Sequence, residues 1–216
     1  MSKHQLKVAN LRSILEESDL EVDSFFHLEV NPDYLKGKGE LLLQAVFENL
    51  EGRGKMPVLE KLRFDFKIQR YVFLYDDEVH FNRYRLNSLK TDLYDTFTFD
   101  WVDSYKRLCR TYEKECLKAG IQDRIWNGPP IARKIFGEAS EAGDLSGNGA
   151  SGWKLNAYND AQYDLLSRLH GYKLIRLPQY ENLMLGGSLK KVDDLLLQPK
   201  EAFKIAMTNW IKRKIQ

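Results

Sequence analysis

The chain of 216 residues contains no run of about 18 apolar residues, the length that a helix needs to cross a bilayer. Its opening residues, MSKHQLKVANL, also lack the long apolar core of a secretory signal peptide. Lys and Arg number 33 against 31 Asp and Glu, and the resulting net charge of +2 identifies neither an acidic nor a basic partner. We therefore expect a cytoplasmic protein without a membrane partner, in which any contact with nucleic acid depends on local patches.

Cysteine is scarce, with only Cys109 and Cys116 in the chain. The two lie seven positions apart in one predicted helix, on roughly one face but about two turns from each other. That separation is too large for a disulfide. We expect both to be reduced core residues, as is usual for a cytosolic protein.

Two predicted strands organise the sequence. Residues 61–68 alternate between apolar and polar side chains, the pattern of a strand with one buried face. Gln69 and Arg70 are predicted to reverse the chain, and residues 71–75 (YVFLY) to form a strand buried on both faces. Several potential cation ligands follow at once: Asp76, Asp77, Glu78 and His80. Carboxylates gathered at the rigid end of a buried strand favour a divalent cation site.

Apolar residues at helical spacing predict helices elsewhere, followed by a third strand at residues 172–177. The predicted helices cover residues 40–50, 101–119, 153–169, 192–197 and 200–215, besides a short one near the start. Residues 137–152 (GEASEAGDLSGNGASG) are rich in Gly and Ser and predict a mobile loop. The fold class that follows is α/β: a mixed central sheet flanked by helices in a single domain spanning residues 1–216, with residues 86–152 as a helical and loop insertion.

A stripe of basic residues marks the predicted helix at 101–119. Arg107, Arg110, Lys114 and Lys118 follow one another at steps of three and four. One interpretation is a solvated face, balanced by neighbouring glutamates. The other is a surface that contacts phosphate groups.

Three short motifs resemble a known superfamily. Glu40 opens a helix in the motif Gly39-Glu40-Leu41; Phe64-Asp65-Phe66 precedes the apolar strand in YVFLYDDEVHF; and residues 169–177 read LHGYKLIRL. Together with HFNRYR at residues 80–85, this order resembles the restriction-endonuclease-like, or PD-(D/E)XK, superfamily. The nearest resemblance is to the very-short-patch-repair endonucleases and their small bacterial relatives.

The resemblance implies roles for individual residues. Asp65 would be the central metal ligand, Glu40 would hold a metal-bound water or a second cation, and His80 would be the active-site histidine. Leu74 stands where many relatives carry a second acid, and its backbone carbonyl would serve as a ligand instead. In a strand that stays extended, Asp76 lies on the same face as Leu74 and could supply the missing oxygen.

The same resemblance implies a metal cofactor and a nucleic-acid substrate. Mg²⁺ or Mn²⁺ would bind Asp65, Asp76 and the Leu74 carbonyl, and the substrate would be DNA. The residues predicted to contact DNA are Arg83, Arg85, Arg107, Arg110, Lys114 and Lys154. His4, His27 and His170 are interpreted as structural.

The leading hypothesis is a metal-dependent nuclease that hydrolyses DNA phosphodiester bonds, in repair or phage defence. The alternative is a catalytically impaired nuclease fold that serves as a DNA-binding or protein-interaction subunit of a larger complex. A third hypothesis is a different hydrolase using the same acidic cluster.

Overall fold

The computed structural model describes residues 2–215, in which helices and short strands form a mixed α/β protein. The helices are α1 (Lys3–Glu16), α2 (Lys38–Asn49), α3 (Arg83–Ser88), α4 (Asp92–Thr96), α5 (Val102–Thr111), α6 (Glu113–Gly120), α7 (Asp123–Trp126), α8 (Pro130–Phe136), α9 (Ser151–Leu169), α10 (Val192–Leu197) and α11 (Glu201–Lys214). The strands are β1 (His27–Glu29), β2 (Lys61–Arg63), β3 (Phe66–Ile68), β4 (Tyr71–Asp76), β5 (Lys173–Pro178), β6 (Asn182–Leu185) and β7 (Ser188–Lys191).

The chain divides into two compact units. Unit 1 comprises Met1–Leu28, Arg63–Asp77 and Gly171–Gln216. Unit 2 comprises Glu29–Leu62 and Glu78–His170, so the predicted insertion at residues 86–152 belongs to unit 2 together with α2 and α9. No helix within residues 2–215 has the length and apolar character needed to cross a membrane.

Unit 1 is built on a three-stranded sheet in the order β3-β4-β5. β3 and β4 are antiparallel and joined by the predicted turn at Gln69 and Arg70, where Gln69 has a φ of 52°. β4 and β5 run parallel, with Tyr71 opposite Lys173 and Asp76 opposite Pro178. Apolar residues of the sheet and of α1, α10 and α11 form one core, which includes Tyr71, Phe73 and Tyr75 from one face of β4. On the other face Val72 is buried and Leu74 is half-buried, so β4 is largely buried on both faces as predicted.

The predicted strand at residues 61–68 is two strands in the structure. β2 ends at Arg63 and β3 begins at Phe66, with Phe64 and Asp65 between them. The predicted alternation is confirmed nevertheless, because the apolar positions Leu62, Phe64, Phe66 and Ile68 are all buried.

Unit 2 is organised around α9, which contacts α2, α3, α7 and α8. The prediction of one helix at residues 101–119 is wrong, because the chain leaves the helical conformation at Tyr112 (φ −109°, ψ 15°) between α5 and α6. Cys109 and Cys116 are buried and are not joined by a disulfide, as expected.

The glycine-rich segment that precedes α9 is closed by hydrogen bonds between its two ends. The Ser140 amide donates to the Gly149 carbonyl at 2.8 Å, and the Ser151 hydroxyl donates to the Gly137 carbonyl at 2.6 Å. Gly149 has a φ of 63°, and a Cβ at this position would lie 1.8 Å from the hydroxyl of Tyr84. A side chain larger than hydrogen is therefore excluded here, both by the backbone conformation and by space.

Candidate active site

Three carboxylates lie at one end of the unit 1 sheet. Asp76 is the last residue of β4, and Asp77 follows it. Asp65 is held beside this end because its amide donates to the Phe73 carbonyl at 2.9 Å and its Oδ2 accepts from the Tyr75 amide at 2.6 Å. Since the parallel strands β4 and β5 both end here, the carboxylates occupy the edge of the sheet where α/β proteins commonly bind ligands.

His4 lies between two of these carboxylates. Its Nε2 is 3.9 Å from Oδ1 of Asp65, and its Nδ1 is 3.5 Å from Oδ2 of Asp77. Side-chain hydrogen bonding to Asp65, and then to Asp77, raises the pKa of His4 from 6.5 to about 10, although burial acts in the opposite direction. At neutral pH the imidazole is therefore a cation that offsets the repulsion between the two carboxylates.

The interpretation of His4 as merely structural missed this position. His4 is far from Asp65 in the sequence and belongs to the first turn of α1. No local pattern connects the two residues, because the contact depends on how α1 packs in unit 1.

The His4 ion pairs predict a pH dependence of stability. The folded-state pKa lies above the unfolded value, so the stabilisation is fully present below pH 6.5 and is lost as the pH rises towards about 10. Because about a third of the His4 side chain is exposed, we expect a loss of about 1–2 kcal/mol rather than the full value of the shift. Urea unfolding at a series of pH values measures it. The His4→Gln variant should lack this slope, and an identical slope in the variant would contradict the assignment.

Asp76 is committed to a buried ion pair within unit 1. Nη1 of Arg176 lies 2.8 Å and 3.1 Å from the two Asp76 oxygens, and both side chains are almost fully buried. In the parallel pairing of β4 with β5, Arg176 is the partner of Leu74. The predicted metal ligand Asp76 and the predicted carbonyl ligand Leu74 thus lie beside a fixed cation.

The strand that carries Leu74 does not stay extended past Asp76. β4 ends at Asp76, and Glu78–His80 form a turn of 3₁₀ helix. The alternation of faces that places Asp76 with Leu74 therefore does not continue to His80.

In unit 2, His80 is oriented by a carboxylate that the sequence did not single out. Nδ1 of His80 lies 3.0 Å from Oδ2 of Asp160 on α9, and a quarter of the His80 side chain is exposed. Asp76, His80 and Asp160 each offer a ligand atom for a metal ion. The chain therefore carries side chains that are able to hold a metal ion.

Arg85 lies in the interior of unit 2. Its Nη2 donates to Oδ2 of Asp164 at 2.8 Å, its Nη1 donates to the Tyr94 hydroxyl at 2.8 Å, and its Nε is 3.6 Å from Oδ2 of Asp160. The Tyr94 hydroxyl in turn donates to Asp164 at 2.6 Å. Burial and pairing argue against the predicted phosphate contact and give Arg85 a part in the core.

Lys154 has a similar environment near the start of α9. Only 2% of its side chain is exposed, and its Nζ pairs with Glu51 and donates to Oδ1 of Asn148 at 3.2 Å. Here too, burial and pairing argue against the predicted contact with DNA.

The other predicted contact residues lie on the surface of unit 2. Arg107 and Arg110 on α5 and Lys114 on α6 are exposed, as the predicted basic stripe requires. Arg83 is half exposed, and its Nε donates to Oε1 of Glu113 at 2.8 Å. Glu40 is exposed in the first turn of α2, where a carboxylate is also favoured by the helix dipole.

Comparison with known proteins identifies a family for the chain. Residues 45–198, which make up more than half of the chain, match the model of a family described as "Family of unknown function (DUF7255)". No curated protein and no solved structure matches the chain.

Proposed function

The chain belongs to this family of unknown function, DUF7255, and from its own residues we propose that it is a metal-dependent nuclease that hydrolyses DNA. The observation that carries the proposal is the grouping of Asp65, Asp76 and Asp77 where β4 and β5 end. Carboxylate oxygens are the ligands that Mg²⁺ and Mn²⁺ prefer. Residues that hold a catalytic cation also work best when a rigid element fixes their positions.

The donor set fits a hard divalent cation. The Tyr75 amide fixes the orientation of Asp65 through Oδ2, which leaves Oδ1 on the side of His4. Asp65 and Asp77 would hold the cation, Mg²⁺ or Mn²⁺, with hard oxygen ligands. When bound, such an ion lowers the pKa of a water and neutralises charge on the phosphate.

His80 is proposed to move a proton in this reaction. The Asp160 carboxylate lies within hydrogen-bond distance of Nδ1 of His80 and thereby fixes the orientation of the imidazole. An oriented imidazole is suited to general acid or base catalysis. For Glu40, the role in holding a metal-bound water stays a prediction.

The arrangement of the sheet supports the superfamily proposed from the sequence. A hairpin of β3 and β4 is followed, after a long excursion of the chain that includes α9, by β5 parallel to β4. Asp65 immediately precedes β3, which supports the role of central ligand proposed for it. The exposed cations Arg107, Arg110 and Lys114 support DNA as the polymer, since lysine and arginine on a surface bind phosphate groups.

One observation favours a second candidate function, an impaired nuclease fold that binds DNA without cutting it. Asp76, which was expected to supply the acid that is missing at position 74, is already paired with the Arg176 guanidinium. A buried carboxylate paired with a guanidinium is not readily available to a metal ion, because breaking the pair leaves a buried charge.

The Leu74→Glu variant separates the two functions. A glutamate at this position adds the acid that many members of the proposed superfamily carry, and it lies opposite Arg176 in the sheet. We expect it to raise the cleavage rate at low metal concentration by roughly 10-fold, because an added anionic ligand tightens metal binding.

Plasmid nicking by the wild type and by Leu74→Glu measures this effect, with Leu74→Gln as the uncharged control. Cleavage by the wild type supports the enzyme. Cleavage by Leu74→Glu alone supports the impaired fold, and no cleavage by either protein counts against a nuclease site at this position.

A further inference from the structure

Unit 2 contains an open groove of about 840 Å³ that the nuclease proposal does not use. One wall is the segment at residues 53–60, which forms neither helix nor strand. The opposite wall includes Ile131, Lys134 and Ile135 of α8. The volume is in the range of sites that hold a ligand or a short stretch of polypeptide.

The lining of the groove is aliphatic. Met56, Val58, Ile131 and Ile135 contribute to it, and no aromatic residue of the described chain lines it. Single-stranded nucleic acid is usually bound by aromatic side chains on which the bases stack. The lining therefore favours aliphatic side chains as the occupant over nucleobases.

The charges at the rim select for an acidic ligand. Arg53, Lys55 and Lys134 line the groove, against the single carboxylate of Glu60. None of the three cations forms an ion pair within residues 2–215. A ligand with carboxylates beside aliphatic groups would complement both features.

Part of the backbone in residues 53–60 is available for hydrogen bonds to a ligand. The Arg53 amide donates to the Ile135 carbonyl at 2.7 Å and the Leu59 amide to Oε1 of Gln162 at 2.8 Å, so both ends of the segment are fixed. Between these ends, the backbone groups of Met56 and Val58 form no hydrogen bond with any part of the chain between residues 2 and 215.

Pro57 restricts the backbone conformation of this stretch. Proline disfavours a helical conformation in the residue before it and so favours an extended Met56. The Pro57 carbonyl accepts from the Tyr158 hydroxyl at 2.8 Å. In an extended chain, residues two apart direct their backbone groups to the same side, opposite that of the residue between them. In an extended stretch the amides and carbonyls of Met56 and Val58 would therefore face away from Tyr158, which bonds Pro57, and would form an edge like that of a sheet.

We propose that this groove binds an extended segment of a partner protein that carries acidic and aliphatic side chains. The segment adds as a strand along Met56 and Val58, its aliphatic side chains pack between this stretch and α8, and its carboxylates pair with Arg53, Lys55 and Lys134. Strand addition of this kind takes its affinity from main-chain hydrogen bonds and its specificity from the side chains in the groove. The proposal does not depend on nuclease activity.

Binding of a fluorescein-labelled peptide tests the proposal in the full-length protein. The probe is a peptide of about eight residues that alternates glutamate and valine, long enough to follow the segment. We expect the Lys55→Glu, Lys134→Glu double variant to weaken binding about 10-fold or more, because it reverses two charges at the rim. Lys90→Glu, an exposed lysine on another part of unit 2, is the control and should leave the affinity unchanged.

Hydrogen exchange supplies a second measurement that depends on the backbone. The bound peptide should slow exchange of the Met56 and Val58 amides. The proposal is overturned if the wild type fails to bind the peptide at about 1 mM, or if these amides show no protection. Equal binding of an alternating lysine and valine peptide, or tighter binding of octathymidylate or of anionic vesicles, also overturns it.

Discussion

The Asp65→Asn variant should lose metal-dependent DNA cleavage by about 100-fold to 1,000-fold, because charge at the reacting phosphate is then poorly stabilised. Asparagine retains an oxygen of the same shape, which can still accept the hydrogen bond from the Tyr75 amide. The change therefore removes the charge of the proposed ligand while the local fold is preserved. Asp65→Ala should be equally inactive but less stable, because it leaves that amide without its acceptor.

DNA binding should survive this substitution. Binding depends on cations spread over a surface, of which Arg107 and Arg110 are exposed examples. Loss of a carboxylate could only reduce repulsion of phosphate. Gel-shift measurements in EDTA, paired with nicking assays in Mn²⁺, provide the comparison. Asp19→Ala, which removes an exposed carboxylate of unit 1, is the matched control and should cut at the wild-type rate. Equal cleavage by Asp65→Asn would remove Asp65 from the site.

The largest effect on stability is expected at Asp164. This carboxylate is fully buried and accepts hydrogen bonds from Arg85 and Tyr94. Asp164→Ala leaves the Arg85 guanidinium in the core without its closest anion, and we expect the free energy of unfolding to fall by about 3–5 kcal/mol. Urea unfolding monitored by tryptophan fluorescence measures the change.

Two further variants show whether the charge is the cause. Tyr94→Phe removes one neutral donor and should cost only about 1 kcal/mol. Replacing both charged residues, with Arg85→Met and Asp164→Leu together, should recover much of the loss, because an apolar pair can replace a buried ion pair. A loss below about 1 kcal/mol in Asp164→Ala would show that Arg85 is compensated elsewhere.

Much of the secondary structure follows from local patterns in the sequence. The alternating residues before Gln69 and the apolar run after it predicted the hairpin of β3 and β4, and helical spacing predicted α1, α2, α9 and α10. These elements have long or regular apolar patterns, so the spacing of their apolar residues distinguishes helix from strand. The break at Tyr112 was missed because the apolar stripe continues across it from α5 into α6.

The hairpin of β6 and β7 was also missed. In β6 the core-facing Leu183 and Leu185 are separated by Met184, which is apolar but about two-thirds exposed, so the sequence lacks the alternation of polar and apolar residues. All four residues of β7 are exposed. The only local signal is the Gly186-Gly187 turn, in which both residues have positive φ.

The candidate site was predicted only in part, because much of it depends on contacts between distant residues. Asp65 and Asp76 belong to a local motif and were found. His4 was not, since it reaches Asp65 through the packing of α1. Asp160 and Asp164 resembled the solvated side of an amphipathic helix, although α9 is buried on most sides. Their spacing of four residues on one helical face was the only signal that they act together.

Nuclease activity is tested most directly by incubating the wild-type protein with supercoiled plasmid in Mn²⁺, in Mg²⁺ and in EDTA. A metal-dependent nuclease should convert the supercoiled form to nicked or linear DNA with either metal, and EDTA should abolish the conversion. Unchanged plasmid at high protein and metal concentration, from a preparation that is folded by circular dichroism, would contradict the proposal that this chain is a nuclease.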